Sequence, residues 1–338
     1  MYYRTLDILR FASAVLVALG HYFLVTSPHP LFEYVAAGAV EIFFVLSGYV
    51  LAPQILRIAS SNQKSKLVNV FLIRRWIRTI PPYLLALTLA FLISSSASIF
   101  DFAIFSLYAQ NLIADNYNNN FFPVAWSLSV EEWSYVAIPI LLIALNRFRV
   151  SIFPGSKNDV NASIITLGVF LLAIKATIAF GLYELGVLIE SPRRSVFFRI
   201  DAVFIGLGLH CIVESWLRSH IFDRMMGAAL LALLASGSVL AATLYGVSAG
   251  LWLLFAPAAA MFLIALSISI NSRVRINATC SSSLAGISYP IYLYHISVLQ
   301  LAASFPNMLA AYVILTLLIS TLSFYGFERP LLKLRPGY

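Results

Sequence analysis

The sequence predicts an all-α, polytopic membrane protein of about ten transmembrane helices, with cytoplasmic N- and C-termini and one domain over residues 1–338. Three observations predict it. The chain is 61% hydrophobic and 11% charged, with a mean hydropathy of +0.89, far too apolar for a soluble domain of this length. Apolar runs long enough to cross a bilayer recur along the whole chain. The basic residues fall between those runs on alternating sides, as positive-inside topology requires. The net charge of +8 is therefore explained by topology, and no nucleic-acid partner is implied.

The ten predicted spans are approximately 6–26, 36–56, 80–100, 131–148, 161–182, 197–216, 225–246, 250–270, 285–304 and 309–327. The run from Asp101 to Ile113 is short for a crossing and leads into the polar DNYNNN, so it reads as re-entrant or interfacial. With ten spans, seventeen of the 22 basic residues share one side, from Arg4 through Arg74, Arg75 and Arg78 to Arg329, Lys333 and Arg335. Arg193, Arg194 and Arg199 fall on the other side, and Arg10 and Lys175 within spans. An eleventh crossing would invert every later loop. Cys211 and Cys280 form neither a metal spacing nor a disulfide framework.

Taken in order, the first span is the most informative. LDILRFASAVLVALGHYF places Asp7, Arg10 and His21 in otherwise membrane-spanning sequence. The eleven steps from Arg10 to His21 come to ~1100°, within about 20° of three whole turns, so the two share a stripe ~16 Å apart along the axis. Asp7, three residues before Arg10, lies on the same stripe. The following GHYFLVTSPHP supplies no signal-peptidase site. Ionisable groups inside a span mark function.

Further spans bring acids and bases to the outer half. Glu41 and Ser47 belong to the second span, Glu131 and Glu132 open the fourth within WSLSVEEW, Arg199 and Asp201 open the sixth, and Tyr289 and His295 lie in SYPIYLYH. A carboxylate beside a histidine fixes its tautomer and raises its basicity, which a general base toward an alcohol needs. The competing reading is that each polar group only joins helices. At the cytoplasmic face, FLIRRWIRTIPPY carries Arg74, Arg75 and Arg78, the last two on one helical face, a cluster suited to coenzyme phosphates or to anionic lipid. Pro81 and Pro82 read as a helix restart, another place for phosphate.

Seven elements in this order resemble the acyltransferase-3 family of integral-membrane acyltransferases, which acylate sugars of bacterial surface polysaccharides. They are Asp7, Arg10 and His21; Glu41 to Gly48 with Ser47; Arg74 to Tyr83; Trp126 to Glu132; Arg199 to Gly206; Ile287 to His295; and Tyr325 to Pro330. Trp133, Ser134 and Ile8 depart from residues common in the family, away from the proposed proton-transfer groups. The layout is similar to stand-alone exopolysaccharide-production and O-antigen O-acetyltransferase-like members, without an appended esterase-like domain.

The resemblance implies a multi-pass enzyme of the bacterial inner membrane that transfers acetyl or another acyl group from acyl-CoA to a carbohydrate hydroxyl, with lipid-linked precursor the preferred acceptor. It implies His21, Glu41, Glu131, Glu132 and Ser47 as the catalytic group, with Glu41 or a glutamate of the 131/132 pair orienting His21. It places coenzyme phosphates on Arg10, Arg74, Arg75 and Arg78, and acceptor contacts on Trp126, Arg199, Asp201, Tyr289 and His295. No metal is implied. Direct transfer is the preferred route, with an acyl-Ser47 or acyl-His21 intermediate as alternatives. The competing class is a transporter or flippase for an anionic or sugar substrate, which would show repeats between halves, and none is evident.

Overall fold

A computed structural model describes residues 3–112, 121–147, 194–216, 249–271 and 273–337. The expected spans at 161–182 and 225–246 lie outside these residues. All regular structure among the described residues is helical. The elements are α1 (Arg4–Thr26), α2 (Pro30–Ser60), α3 (Lys64–Ile93), α4 (Ile99–Ser106), α5 (Ala125–Arg147), α6 (Val196–Trp216), α7 (Ala249–Ile270), α8 (Ala278–Ala302) and α9 (Met308–Ser323). A π-helical turn at Phe324–Glu328 and short helical pieces to Leu334 extend α9.

Six helical stretches are long and apolar enough to cross a membrane: Arg4–Thr26, Pro30–Ser60, Lys64–Ile93, Ala125–Ala144, Val196–Val213 and Met308–Leu334. Their faces are sorted for a lipid solvent. Along α9, Tyr312, Thr316 and Ser320 recur every fourth residue and are 1%, 4% and 0% exposed, whereas Ile314, Leu318 and Leu322 are 63%, 52% and 63% exposed. Polar side chains turn away from the hydrocarbon, where burying them is costly. The chain is a multi-pass membrane protein.

α4 decides the short run of uncertain depth. Its Ser98 side chain accepts from the Asp101 amide while Asp101 accepts from the Ser98 amide, closing a capping box, and the helix ends after eight residues. Eight residues rise only ~12 Å, well short of the ~30 Å hydrocarbon core. Tyr108, at φ 54°, then turns the chain, and the Trp133 indole donates to its carbonyl at 3.0 Å.

One expectation is overturned. Pro81 and Pro82 do not restart the chain as a helix, because α3 runs unbroken from Lys64 to Ile93 with both prolines inside. Proline's fixed φ is compatible with helix, and the two lost backbone bonds are offset by the burial of Tyr83, Ala86, Leu87 and Ala90 over the next two turns. No helix N-terminus is therefore present there to hold a phosphate.

The hub is α2, which packs on α1, α5, α6 and α7, and its closest partner is α6. Gly48 and Gly206 make that crossing. A Cβ on Gly48 would meet the Val203 carbonyl, and one on Gly206 would meet the Val45 carbonyl and the Tyr49 amide. Backbones approach this closely only where side chains are absent. α1 also packs on α8, which in turn packs on α9. Tyr312 stacks on Tyr22 at 5.4 Å and donates to the Ala18 carbonyl at 2.9 Å.

Both termini sit at one end of the bundle. Arg4 donates to the Ile276 carbonyl at 2.8 Å, Thr5 to the Ser267 carbonyl at 2.6 Å, and Arg74 to the Pro336 carbonyl at 2.5 Å. Cys211 is buried and Cys280 exposed.

Gly206→Leu should destabilise the bundle by at least the ~1–3 kcal/mol of an overpacked core, since the obstacle is backbone. Leu318→Ala on the lipid-facing side of α9 should stay within about 0.5 kcal/mol of wild type. Thermal unfolding in detergent, followed by size-exclusion fluorescence, separates the two.

Candidate active site

Three adjoining cavities run through the bundle. The widest, about 580 Å³, opens at the end that holds both termini and is lined by Asp7 and Arg10 of α1, Tyr49 of α2, Arg78 of α3, His210 of α6 and Glu328. Arg10, Val50 and Arg78 also line a narrow waist of about 70 Å³, with Ser47, Arg75, Glu131, Tyr135 and Tyr289. Val40 and Tyr292 line both the waist and a third cavity of about 270 Å³, where His21, Glu33, Trp126 and Arg194 meet.

Helical spacing delivers the basic waist. Arg75 and Arg78 are three residues apart on α3 and turn to the same side, where Arg10 of α1 meets them. The Arg75 guanidinium donates to Gln54 Oε1 at 3.2 Å and lies 5.9 Å from the Phe71 ring. Arg74, about 100° round the helix, points instead to the C-terminal segment through its bond to Pro336. Three arginines, Arg10, Arg75 and Arg78, thus converge where four were expected. The Ser47 hydroxyl donates to Glu131 Oε1 across the waist, placing a nucleophile against a carboxylate. Glu132 is buried beside Thr79.

His21 lies toward the other end of α1 on the same stripe as Arg10, one residue lining the third cavity and the other the waist. Its Nδ1 is 3.0 Å from the Val17 carbonyl and 3.1 Å from His295 Nε2. Trp126 lines the same cavity, edge-on to Phe44 at 6.0 Å. The Asn111 amide group donates to the carbonyls of Trp126 and Arg194 at 2.9 and 2.5 Å, tying the two lining residues together.

Glu41, one of the carboxylates expected to orient His21 beside the Glu131/Glu132 pair, is engaged elsewhere. Glu41 forms a salt bridge with Arg199, their side chains 2% and 4% exposed, and the guanidinium stacks 5.5 Å above Phe44. This pair locks α6 onto α2 beside the glycine crossing. Arg199, expected as an acceptor contact, is thereby committed to the core, and Asp201 is buried on the same helix. Neither Arg199 nor Asp201 lines the three cavities. Tyr289 does line the waist, and its hydroxyl donates to the Thr79 carbonyl at 3.0 Å. His295 is fully buried behind His21.

Sequence reasoning missed Tyr292, Ser127, Glu33 and Arg194. Tyr292 and Ser127 share a hydrogen bond between their hydroxyls, and Tyr292 stands three residues before His295 on α8, a spacing that signals a common face. Among the described residues, no group of three or more His, Cys, Asp or Glu side chains is placed to hold a metal ion.

The family whose description is "Acyltransferase domain" matches residues 3–327 of the chain. No curated protein and no solved structure matches it.

Replacing either Glu41 or Arg199 by alanine should cost about 3–5 kcal/mol, because each strands a buried charge. The double variant Glu41→Leu/Arg199→Met should recover much of that loss. A double-mutant cycle on thermal unfolding in detergent measures the coupling.

Proposed function

The chain belongs to the acyltransferase-3 family, and from that premise we propose that this membrane acyltransferase moves an acyl group, most simply acetyl, from acyl-CoA to a sugar hydroxyl. The acceptor is a cell-surface or exopolysaccharide sugar or its lipid-linked precursor, and the setting is the bacterial inner membrane. The observation that carries the reading is the adjacency of a three-arginine waist to a cavity lined by His21.

The coenzyme occupies the wide cavity at the end bearing the termini, which the positive-inside distribution makes cytoplasmic. Arg10, Arg75 and Arg78 take its phosphates through charge-assisted bonds. Its pantetheine arm passes the waist and presents the thioester beside His21, ~16 Å along α1 from Arg10. The acceptor sugar enters the third cavity, where Trp126 offers an aromatic face and Glu33 and Arg194 offer polar contacts.

His21 then takes the proton of the acceptor hydroxyl. The sugar oxygen bonds to the thioester carbonyl carbon, the carbon–sulfur bond breaks, and the thiolate takes the proton from His21. The atoms balance without a further reactant. Such a base contributes about 10²- to 10⁴-fold in rate.

A second reading follows from the Ser47–Glu131 bond: Glu131 takes the hydroxyl proton and Ser47 carries the acyl group as an ester before it passes to the sugar. In membranes given radiolabelled acetyl-CoA, label followed separately into protein and glycan distinguishes the routes. Direct transfer leaves glycan labelled in Ser47→Ala, whereas the acyl-serine route loses it.

In the same assay His21→Ala should lower glycan labelling by 10²-fold or more, and normal labelling contradicts the assignment. Arg75→Ala and Arg78→Ala should each raise KM for the donor about tenfold or more while kcat changes little, as expected on losing charged hydrogen bonds to a part of the substrate that does not react.

A further inference from the structure

The Val17 and Tyr292 carbonyls fix the proton positions of two touching imidazoles. His295 has its Nδ1 2.8 Å from the Tyr292 carbonyl oxygen. A carbonyl only accepts, so Nδ1 of His295 carries the proton, and in the neutral ring Nε2 is then a bare lone pair. That lone pair faces His21 Nδ1 at 3.1 Å, and the same Nδ1 is 3.0 Å from the Val17 carbonyl oxygen. Both neighbours of His21 Nδ1 therefore accept.

The opposite assignment fails on chemistry. A proton on His295 Nε2 pointing at His21 would require either a bare Nδ1 against the Tyr292 carbonyl, lone pair on lone pair, or a doubly protonated ring with no exposure at all. We infer that His295 is a positioning residue, which with Val17 and Tyr292 holds His21 in the tautomer protonated at Nδ1 and leaves His21 Nε2 bare for proton abstraction. The inference rests on the reading of His21 as general base and gives it a structural cause.

An imidazole stands here where many enzymes place a carboxylate behind the catalytic histidine. When His21 takes the acceptor proton, its Nδ1–H becomes the donor of a charge-assisted bond to His295 Nε2 and the Val17 carbonyl, which strengthens as positive charge develops. The two rings lie 5.0 Å apart, tilted by 36°, and Tyr292, whose carbonyl sets the chain of donors, also packs its ring 5.8 Å from His295. The α8 backbone thus dictates the tautomer on α1.

The test compares His295→Leu, which removes the acceptor, with His295→Gln, whose Oε1 reaches the place of Nε2. His295→Leu should lower kcat about 10- to 100-fold with KM for acetyl-CoA unchanged, and His295→Gln should return kcat to within a few-fold of wild type. Unchanged turnover in the leucine variant, or a glutamine variant as slow as the leucine one while both unfold at the wild-type temperature, overturns the inference. Imidazole ¹⁵N shifts of His21 in the wild-type protein give a readout independent of turnover. They should report a protonated Nδ1 and a bare Nε2, and the reverse pattern overturns the inference. Full activity in His21→Ala with the expected ¹⁵N pattern would remove the general-base reading while leaving the tautomer assignment intact.

Discussion

The arrangement of this bundle follows chiefly from the cost of exposing polar groups to hydrocarbon. The lipid-facing side of α9 is apolar, while Tyr312 turns inward and donates to the Ala18 carbonyl. The same constraint turns Arg10, Glu41, Arg75, Arg78, Glu131 and Arg199 into the interior, where Glu41 meets Arg199 in the core and the others meet at the waist. What results is an interior polar enough for chemistry, enclosed by helices that are apolar outside.

Within that interior the charges divide by job. Glu41 and Arg199 neutralise each other in the core, next to the Gly48–Gly206 crossing, and hold α6 on α2. Holding that crossing fixes α2, and α2 carries Ser47 to the waist and Val40 to the junction with the His21 cavity. Arg10, Arg75 and Arg78 instead line the waist, where the proposed reaction puts the phosphates of its donor.

Much of this was legible from spacing along single helices. The Arg10–His21 stripe needs only the helical period, as does the pairing of Arg75 with Arg78; Arg74 nonetheless reads in sequence as part of that cluster, and its bond to Pro336 comes from the distant C-terminal segment. The shortness of the run after Asp101 was also readable, since its capping box and its length are local. Contacts between distant segments were not. Glu41 and Arg199 are 158 residues apart and His21 and His295 are 274 apart, and one sequence holds no record of which acid meets which base. Pro81 and Pro82 misled because the penalty of an interior proline is visible locally, whereas the packing of Tyr83 and Leu87 that outweighs it is tertiary.

The central claim is that donor and acceptor approach from opposite ends of one line of cavities and meet at His21. It is tested most directly in sealed vesicles of known orientation, with acetyl-CoA supplied only at the face bearing the termini and a sugar acceptor confined to the other face. The account predicts labelled acceptor on the far side, lost when His21 is replaced by alanine. Labelling only when both substrates share one face would contradict it.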